Sequence, residues 1–145
     1  MRRIEMRPTQ RSGLGGHLRA NILVVGLDEP LAGELCRALR ELRHSVLSEA
    51  FVSAADCLAT IERVGADVIF CGTDRQQYGT ILKCLRDRSQ VIPVVVVSRL
   101  PETGDWLDAM DAGASDYCAA PFEPRLVERI IENTLKYPCA LSLAG

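Results

Sequence analysis

The chain has 145 residues, of which 48% are apolar and 25% are charged, and its formal net charge is −2. These values are typical of one globular domain and exclude a disordered chain. The sequence contains no apolar run of the roughly 18 residues that a membrane-spanning helix requires. No apolar stretch follows the Arg-rich N-terminus, so this segment is not a secretory signal. We therefore expect a cytoplasmic protein that makes no contact with a membrane.

Positive charge is concentrated at the N-terminus, where residues 1–20 carry five Arg and one Glu. This segment lacks a periodic apolar pattern, so we predict a basic, disordered tail, a folded domain over 21–137 and a short C-terminal tail over 138–145. An alternative is that translation starts at Met6. A basic tail can contact nucleic acid, but a few scattered arginines give little affinity at physiological salt. We do not expect a nucleic-acid partner.

The cysteine pattern argues against a metal site or a disulfide framework. No two cysteines form a Cys-x-x-Cys pair, and neither histidine lies at ligand spacing from one. Most of them fall inside apolar segments, where a free thiol behaves as a small apolar group. We predict no metal and no cofactor, and we expect Cys139 to be the most exposed thiol. The cysteines are Cys36, Cys57, Cys71, Cys84, Cys118 and Cys139.

An apolar, β-branched run over 22–25 opens the patterned part of the chain and predicts a buried strand. Asp28, Glu29 and Pro30 follow and favour a helix start, because acidic side chains stabilise the first turn and proline is tolerated there. The helix that they introduce carries apolar residues at helical spacing. These are Leu31, Leu35, Cys36 and Leu39.

Two further strand–helix units follow along the chain. A weaker strand is predicted over 45–47, and a helix over 54–64 with Leu58 and Ile61 facing inward. The entirely apolar run 68–71 predicts a third strand. The third helix is marked by Ile81, Leu82 and Leu85.

The last two units contain the strongest strand signal. The run 91–97 is nearly all Val and Ile, and Pro93 lies near its start, where a missing N–H is tolerated. Leu107 and Met110 mark a fourth helix and are both expected to face inward. A short fifth strand is predicted over 117–119. The fifth helix is amphipathic, with apolar residues at Leu126, Val127, Ile130, Ile131 and Leu135.

Five strands that alternate strictly with five helices predict an α/β fold. Because the strands are continuously apolar, both faces of a parallel sheet must be covered. Right-handed crossovers then lead to a doubly wound three-layer sandwich. Such folds place their site at the carboxyl ends of the strands. We therefore expect functional residues directly after positions 25, 71, 97 and 119.

Several fragments, in order and at matching distances, resemble the receiver domains of response regulators. The likeness covers about residues 20–137. It implies a flavodoxin-like (CheY-like) sheet of five strands in the order 2-1-3-4-5, and a role in bacterial-type two-component (phosphorelay) signal transduction. The fragments are 22–25 with 28–30 (first strand and acidic corner), 67–71 (strand before the phosphorylated aspartate), 92–98 (fourth strand with its hydroxyl), and 112–117 with 121–122 (fifth-strand signature).

Receivers transfer a phosphoryl group to an aspartate, with Mg²⁺ held by acidic residues and with a hydroxyl and a lysine that take up charge. The resemblance places Gly26 and Leu27 at the acidic pair, Gly72 at the acceptor and Ala120 at the lysine. Only the hydroxyl position keeps its chemistry, as Ser98. The resemblance therefore implies an atypical, non-enzymatic receiver that lacks the phosphoacceptor and acts through protein contact.

Two alternatives use other features of the same region. In the first, a shifted loop makes Asp74 the acceptor, with Asp28 as its acidic neighbour; the simpler interpretation is that Asp28 caps or charges the first helix and that Asp74 lies in a polar turn. In the second, Gly26 and Gly72 leave a pocket for a small ligand, because glycine permits close backbone approach.

Three residues are candidates for switching or partner binding. In receivers, the residues at the positions of Ser98 and Tyr117 move together; the alternative is that Ser98 caps the next helix and that Tyr117 only packs. Trp106 is the only Trp in the chain. It either covers the edge of the core or, with Tyr117, anchors a homodimer or a partner protein on the face formed by the fourth helix, fifth strand and fifth helix.

Overall fold

A computed structural model of the chain describes residues 19–100 and 103–136. The predicted N-terminal tail lies almost wholly outside the described residues, and so do the C-terminal tail and Cys139. Within the described part, five strands alternate with five helices as predicted. They are β1 (Asn21–Val25), α1 (Leu31–Glu41), β2 (Ser45–Glu49), α2 (Ala54–Val64), β3 (Val68–Cys71), α3 (Arg75–Asp87), β4 (Val94–Ser98), α4 (Thr103–Ala112), β5 (Asp116–Ala119) and α5 (Pro124–Lys136).

The strands form one sheet in the order β2-β1-β3-β4-β5, and every neighbouring pair is parallel. The predicted doubly wound sandwich and its strand order are therefore confirmed. The sheet is covered on both faces, since buried residues of α1 and α5 share one core cluster, and those of α2, α3 and α4 share another. Strand side chains alternate between the two clusters: Phe70 contributes to the first and Ile69 to the second, both fully buried.

The strand β4 begins three residues later than the sequence predicts. Val91 is 57% exposed. Sheet pairing starts where the N–H of Ile69 donates to the carbonyl of Pro93 at 3.0 Å, and Val94 is the first β4 residue in register with β3. Apolar content alone placed Val91 in the strand, although it lies beyond the end of the pairing.

Two helical leucines predicted to face the core are exposed instead. Leu107 is 49% exposed, while Ala109 on the same helix is fully buried. Leu126 is 52% exposed, and the neighbouring Val127 takes the inward position. An amphipathic helix buries only one stripe of its surface, and the stripe here is set by packing against the sheet rather than by side-chain size.

The predicted role of the cysteines as small apolar groups is confirmed for those that the structure describes. Cys36, Cys57, Cys71 and Cys118 are buried, Cys84 is partly buried, and all of them are free thiols. None of the described helices combines the length and the apolar character needed to cross a membrane.

Candidate functional site

The carboxyl ends of β1, β3 and β4 border an open cleft of about 720 Å³. It lies beside β1 and β3, where the strand order reverses, which is where doubly wound folds bind ligands. The structure brings six predicted residues to this cleft, and leaves Ala120, Trp106 and Tyr117 outside its lining. The six are Gly26, Leu27, Asp28, Gly72, Asp74 and Ser98.

Gly26 leaves β1 with a positive φ of 77°, a conformation that favours glycine. Its N–H donates to the carbonyl of Glu49 at 3.1 Å, which extends the β1–β2 pairing by one bond. A Cβ at this position would lie only 2.6 Å from Oε1 of Gln77. The Gln77 side chain, from the first turn of α3, therefore fills the space beside Gly26. Nothing in the sequence pattern pointed to Gln77, because only the fold brings α3 over the end of β1.

Gly72 is buried at the end of β3, and its side-chain position is closed by the backbone of the loop that follows β1. A Cβ on Gly72 would meet the carbonyl oxygen of Gly26 at 2.9 Å and Cδ2 of Leu27 at 3.4 Å. Leu27 packs against the core cluster beneath α1 rather than pointing wholly into the cleft. Consequently, a carboxylate cannot be added at residue 72 unless the backbone of Gly26 moves.

The two nearby carboxylates already have structural partners. Asp74 is the N-cap of α3, and its Oδ1 accepts hydrogen bonds from the N–H groups of Gln76 at 3.0 Å and Gln77 at 3.4 Å. Asp28 forms an exposed ion pair with Arg99, with an oxygen–nitrogen distance of 3.2 Å. The idea that the Asp28 side chain caps α1 is wrong, because the cap residue is Pro30 and no side chain bonds there.

Ser98 and Tyr117 meet at the backbone of one residue, Leu100. The buried Ser98 hydroxyl donates to the Leu100 carbonyl at 2.6 Å and accepts from the Leu100 N–H at 3.1 Å. The Tyr117 hydroxyl donates to the same carbonyl at 3.5 Å. Ser98 does not cap α4, because residues 99 and 100 are not helical and its bonds close this short turn. The role of Leu100 was not predicted, because its sequence context does not indicate that its carbonyl accepts hydrogen bonds from two side chains.

Ala120 lies next to this turn through the backbone. Its N–H donates to the carbonyl of Ser98 at 3.0 Å, and its side chain packs against the core cluster beneath α1 and α5. Ala120 therefore links β5 to β4 but presents no polar group to the cleft.

Trp106 lies on α4, one residue before the exposed Leu107, and 46% of its surface is accessible. Tyr117, on the neighbouring β5, is half-buried and packs against the core cluster beneath α4. Two large apolar side chains of α4, Trp106 and Leu107, are therefore exposed.

Burial is the main cause of the raised pKa values of groups near the sheet. It raises the pKa of Cys57 to about 11 and that of Cys118 to about 12, and it raises the pKa of Cys71 further. These thiols are protonated at neutral pH and are poor nucleophiles. Burial also raises the pKa of Asp116, although the N–H of Tyr117 partly opposes this. Among the described residues, no three His, Cys, Asp or Glu side chains gather in a group that could hold a metal.

Comparisons with known proteins extend this picture. No protein-family model matches the chain. The curated protein "Probable transcriptional regulator ycf27" from Porphyridium aerugineum is 27% identical over 106 residues, which cover 69% of this chain and 43% of that protein. The chain thus matches less than half of the length of that relative.

Solved structures establish the fold. The crystal structure of FixJ-N matches with a TM-score of 0.67 and 24% identity, covering 81% of this chain and 94% of that one. A two-component response regulator from Clostridium difficile matches with a TM-score of 0.62 and 20% identity, covering 81% and 96%. The chain therefore has the CheY-like, flavodoxin-like fold.

Proposed function

We propose that this chain is an atypical receiver domain of two-component signal transduction that accepts no phosphoryl group and acts by binding a protein partner. The observation that carries the proposal is the closed end of β3. Residue 72, the position that the resemblance assigns to the acceptor, is a glycine whose side-chain space is taken by the Gly26 carbonyl. A phosphoryl acceptor needs a nucleophilic oxygen at that point, and glycine supplies none.

The residues around Gly72 support the same proposal. Mg²⁺ requires hard oxygen ligands in near-octahedral geometry, and the side chains at Gly26 and Leu27 provide no oxygen. Ala120 brings no cation that would neutralise a transferred phosphoryl group. The carboxylate of Asp74 is already used to cap α3, which disfavours its use as a substitute acceptor.

Incubation with acetyl phosphate and Mg²⁺ tests the proposal, with intact-protein mass spectrometry as the measurement. We expect no gain of a phosphoryl mass, while a receiver with an intact acidic site, treated in parallel, becomes labelled. Stoichiometric, hydroxylamine-labile labelling that disappears in Asp74→Asn or Asp28→Asn would overturn the proposal in favour of the shifted acceptor.

The partner surface that we propose is the face formed by α4, β5 and α5. Large exposed apolar side chains support it: Trp106 and Leu107 lie on α4, and Leu126 lies on α5. On this face either another signalling protein or a second copy of the chain binds. Pull-down from the native host, compared between the parent and Trp106→Ala, tests the face. Loss of capture with an unchanged melting temperature supports it, whereas intact capture with a lowered melting temperature assigns Trp106 to the core.

A second candidate function is the sensing of a small ligand, which the size of the cleft favours. Its volume of about 720 Å³ lies within the range of roughly 300–1,000 Å³ that is usual for ligand sites. The cleft combines apolar and charged side chains, which are Phe51, Leu31, Arg99, Asp28, Asp74 and Asp105. A thermal-shift screen of metabolites tests this function. A stabilising ligand whose effect is lost in Phe51→Ala would support it, and a screen without any stabilising compound would count against it.

A further inference from the structure

The helix α4 is strongly acidic. Among its ten residues, Thr103–Ala112, are three aspartates and no Lys or Arg. Asp108 pairs with Arg75 of α3 at 3.7 Å, in an exposed contact that contributes little. Among the described residues, no basic side chain lies within ion-pair distance of Asp105 or Asp111. The helix therefore keeps a net negative charge at the surface.

The position of Asp111 makes this charge costly for the isolated domain. It lies in the last turn of α4, where the helix dipole is negative and where a cation is favoured instead. An anion at this end of a helix is destabilising, and no basic residue in the last turn offsets it. A positively charged group that approaches from outside would relieve both the dipole and the aspartates.

An apolar stripe runs along the same helix. Trp106 and Met110 are four residues apart and therefore lie on one side of α4, next to Leu107. Trp106 is 46% exposed and Leu107 is 49% exposed, whereas Ala109 is fully buried and fixes which side of the helix meets the core. Leu107 and Asp111 are also four residues apart, so an acidic side chain borders the exposed apolar stripe.

Asp108 and Asp111 are three residues apart and lie beside Leu107 on the exposed side of α4. We infer that α4 binds a positively charged segment of a partner protein, whose apolar side chains cover Trp106 and Leu107 and whose Lys or Arg side chains approach Asp108 and Asp111. The inference rests on the proposed function, since it names the chemistry of the partner. Trp is a preferred anchor of interfaces, and complementary charge steers association and rejects wrong partners. The acidic rim therefore selects a basic partner, and the apolar stripe supplies the contact area.

The same charges disfavour two other occupants, a second copy of the chain and a nucleic acid. A symmetric homodimer through α4 would place the acidic helix of one copy against the acidic helix of the other, because a two-fold interface uses the same patch twice. Like charges set against each other across an interface cost binding free energy. A nucleic acid is excluded for the same reason, since its phosphates carry negative charge.

Fluorescence of Trp106 tests the inference directly, because this is the only Trp in the chain. The probe is a synthetic amphipathic helical peptide of Lys and Leu, with a Glu and Leu peptide of the same pattern as its counterpart. We expect the Lys peptide alone to shift the emission to shorter wavelength and to protect Trp106 from acrylamide. The double variant Asp108→Asn/Asp111→Asn should bind about five-fold more weakly, and added salt should weaken binding to the parent.

A matched control removes the same two charges elsewhere. Glu34 and Glu41 are exposed on α1, so Glu34→Gln/Glu41→Gln should bind the Lys peptide as the parent does. Equal binding of the two peptides, parent-like binding by the double aspartate variant, or binding without a change at Trp106 would each overturn the inference.

Three measurements decide between occupants and keep the proposals distinct. If deletion of residues 1–18 exposes Trp106 to acrylamide, the chain's own N-terminal segment is the occupant and the inference is wrong. Light scattering that shows a concentration-dependent dimer with protected Trp106 would overturn it in favour of a second copy. Labelling by acetyl phosphate, in contrast, would overturn the proposed function and leave the peptide result unchanged.

Discussion

The carboxyl end of the sheet has two halves, which differ in the groups that they present. At the ends of β1 and β3, glycine backbone and the Leu27 side chain occupy the space, and Gly72 has no room for a side chain. At the ends of β4 and β5, the Ser98 hydroxyl and Tyr117 are both present and converge on the Leu100 carbonyl. The first half supplies none of the groups that phosphoryl transfer requires. The second half has a hydrogen-bonded turn at Leu100, in the segment that precedes α4.

This difference has a physical basis in packing. Leu27 packs against the core cluster at the end of β1, where burial of apolar surface stabilises the fold by about 25 cal/mol per Å². Ser98 is more deeply buried than Leu27, and its hydroxyl is satisfied by the turn at Leu100, which offsets the cost of desolvating it. One half is therefore stabilised as core, and the other half fixes the start of the segment that enters α4.

The largest effect is expected at Gly72. Substitution Gly72→Asp places a Cβ at 2.9 Å from the Gly26 carbonyl, so the backbone must shift, and we expect the free energy of unfolding to fall by about 2 kcal/mol. Urea denaturation measures it. The variant should also remain unlabelled by acetyl phosphate, because the displaced carboxylate has neither a metal site nor a lysine.

The control for this substitution is a second glycine in open space. Gly79 lies inside α3 and a Cβ there would meet nothing within 4 Å, so Gly79→Ala should raise stability by about 0.5–1 kcal/mol. If Gly72→Asp were as stable as the parent, the Gly26 carbonyl would not close the end of β3. The difference between the two halves would then be wrong.

A smaller effect is expected in the other half, at the ends of β4 and β5. Ser98→Ala removes the two hydrogen bonds that join the Ser98 hydroxyl to the N–H and the carbonyl of Leu100. This loss should lower the free energy of unfolding by about 1 kcal/mol. Tyr117→Phe removes a contact of 3.5 Å and should cost less. The emission of Trp106 should shift in Ser98→Ala, because the turn precedes α4. The exposed Ser45→Ala serves as the control, and an equal loss there would refute the role of the turn.

The elements of the fold could be predicted because their signals are local. Continuous Val and Ile runs mark buried strands, and helical spacing marks the helices, so all ten elements and their order followed from the sequence. The phase of α4 did not follow, because Ala109 rather than the larger Leu107 faces the core. Side-chain size gives no signal for the side of a helix that the sheet will cover.

The site was predictable only where residues directly follow strands. Gly26, Gly72 and Ser98 were found this way, and the structure places them around one cleft. Gln77 and Leu100 were missed, since their roles depend on where α3 and the turn after β4 lie in space. The approach of the Gly26 carbonyl to Gly72 could not be predicted either. A glycine in the sequence indicates that another atom can come close, but it does not indicate which atom does so.

The smallest effect is expected at Asp116 on β5, and it should depend on pH. Burial raises the pKa of Asp116, so the folded protein binds its proton more tightly than the unfolded chain does. Ionisation therefore costs stability, and this cost appears as pH rises above the unfolded pKa of about 3.9. Asp116→Asn removes the cost and keeps an acceptor for the Tyr117 N–H, which lies 2.8 Å from the carboxylate. Its melting temperature should exceed that of the parent at pH 7 and match it near pH 3.

Asp87→Asn, on an exposed side chain that pairs with Lys83 at 3.0 Å, should show no such gain at pH 7. A lower melting temperature of Asp116→Asn at pH 7 would show that the charge of Asp116 strengthens its bond to Tyr117 by more than burial costs.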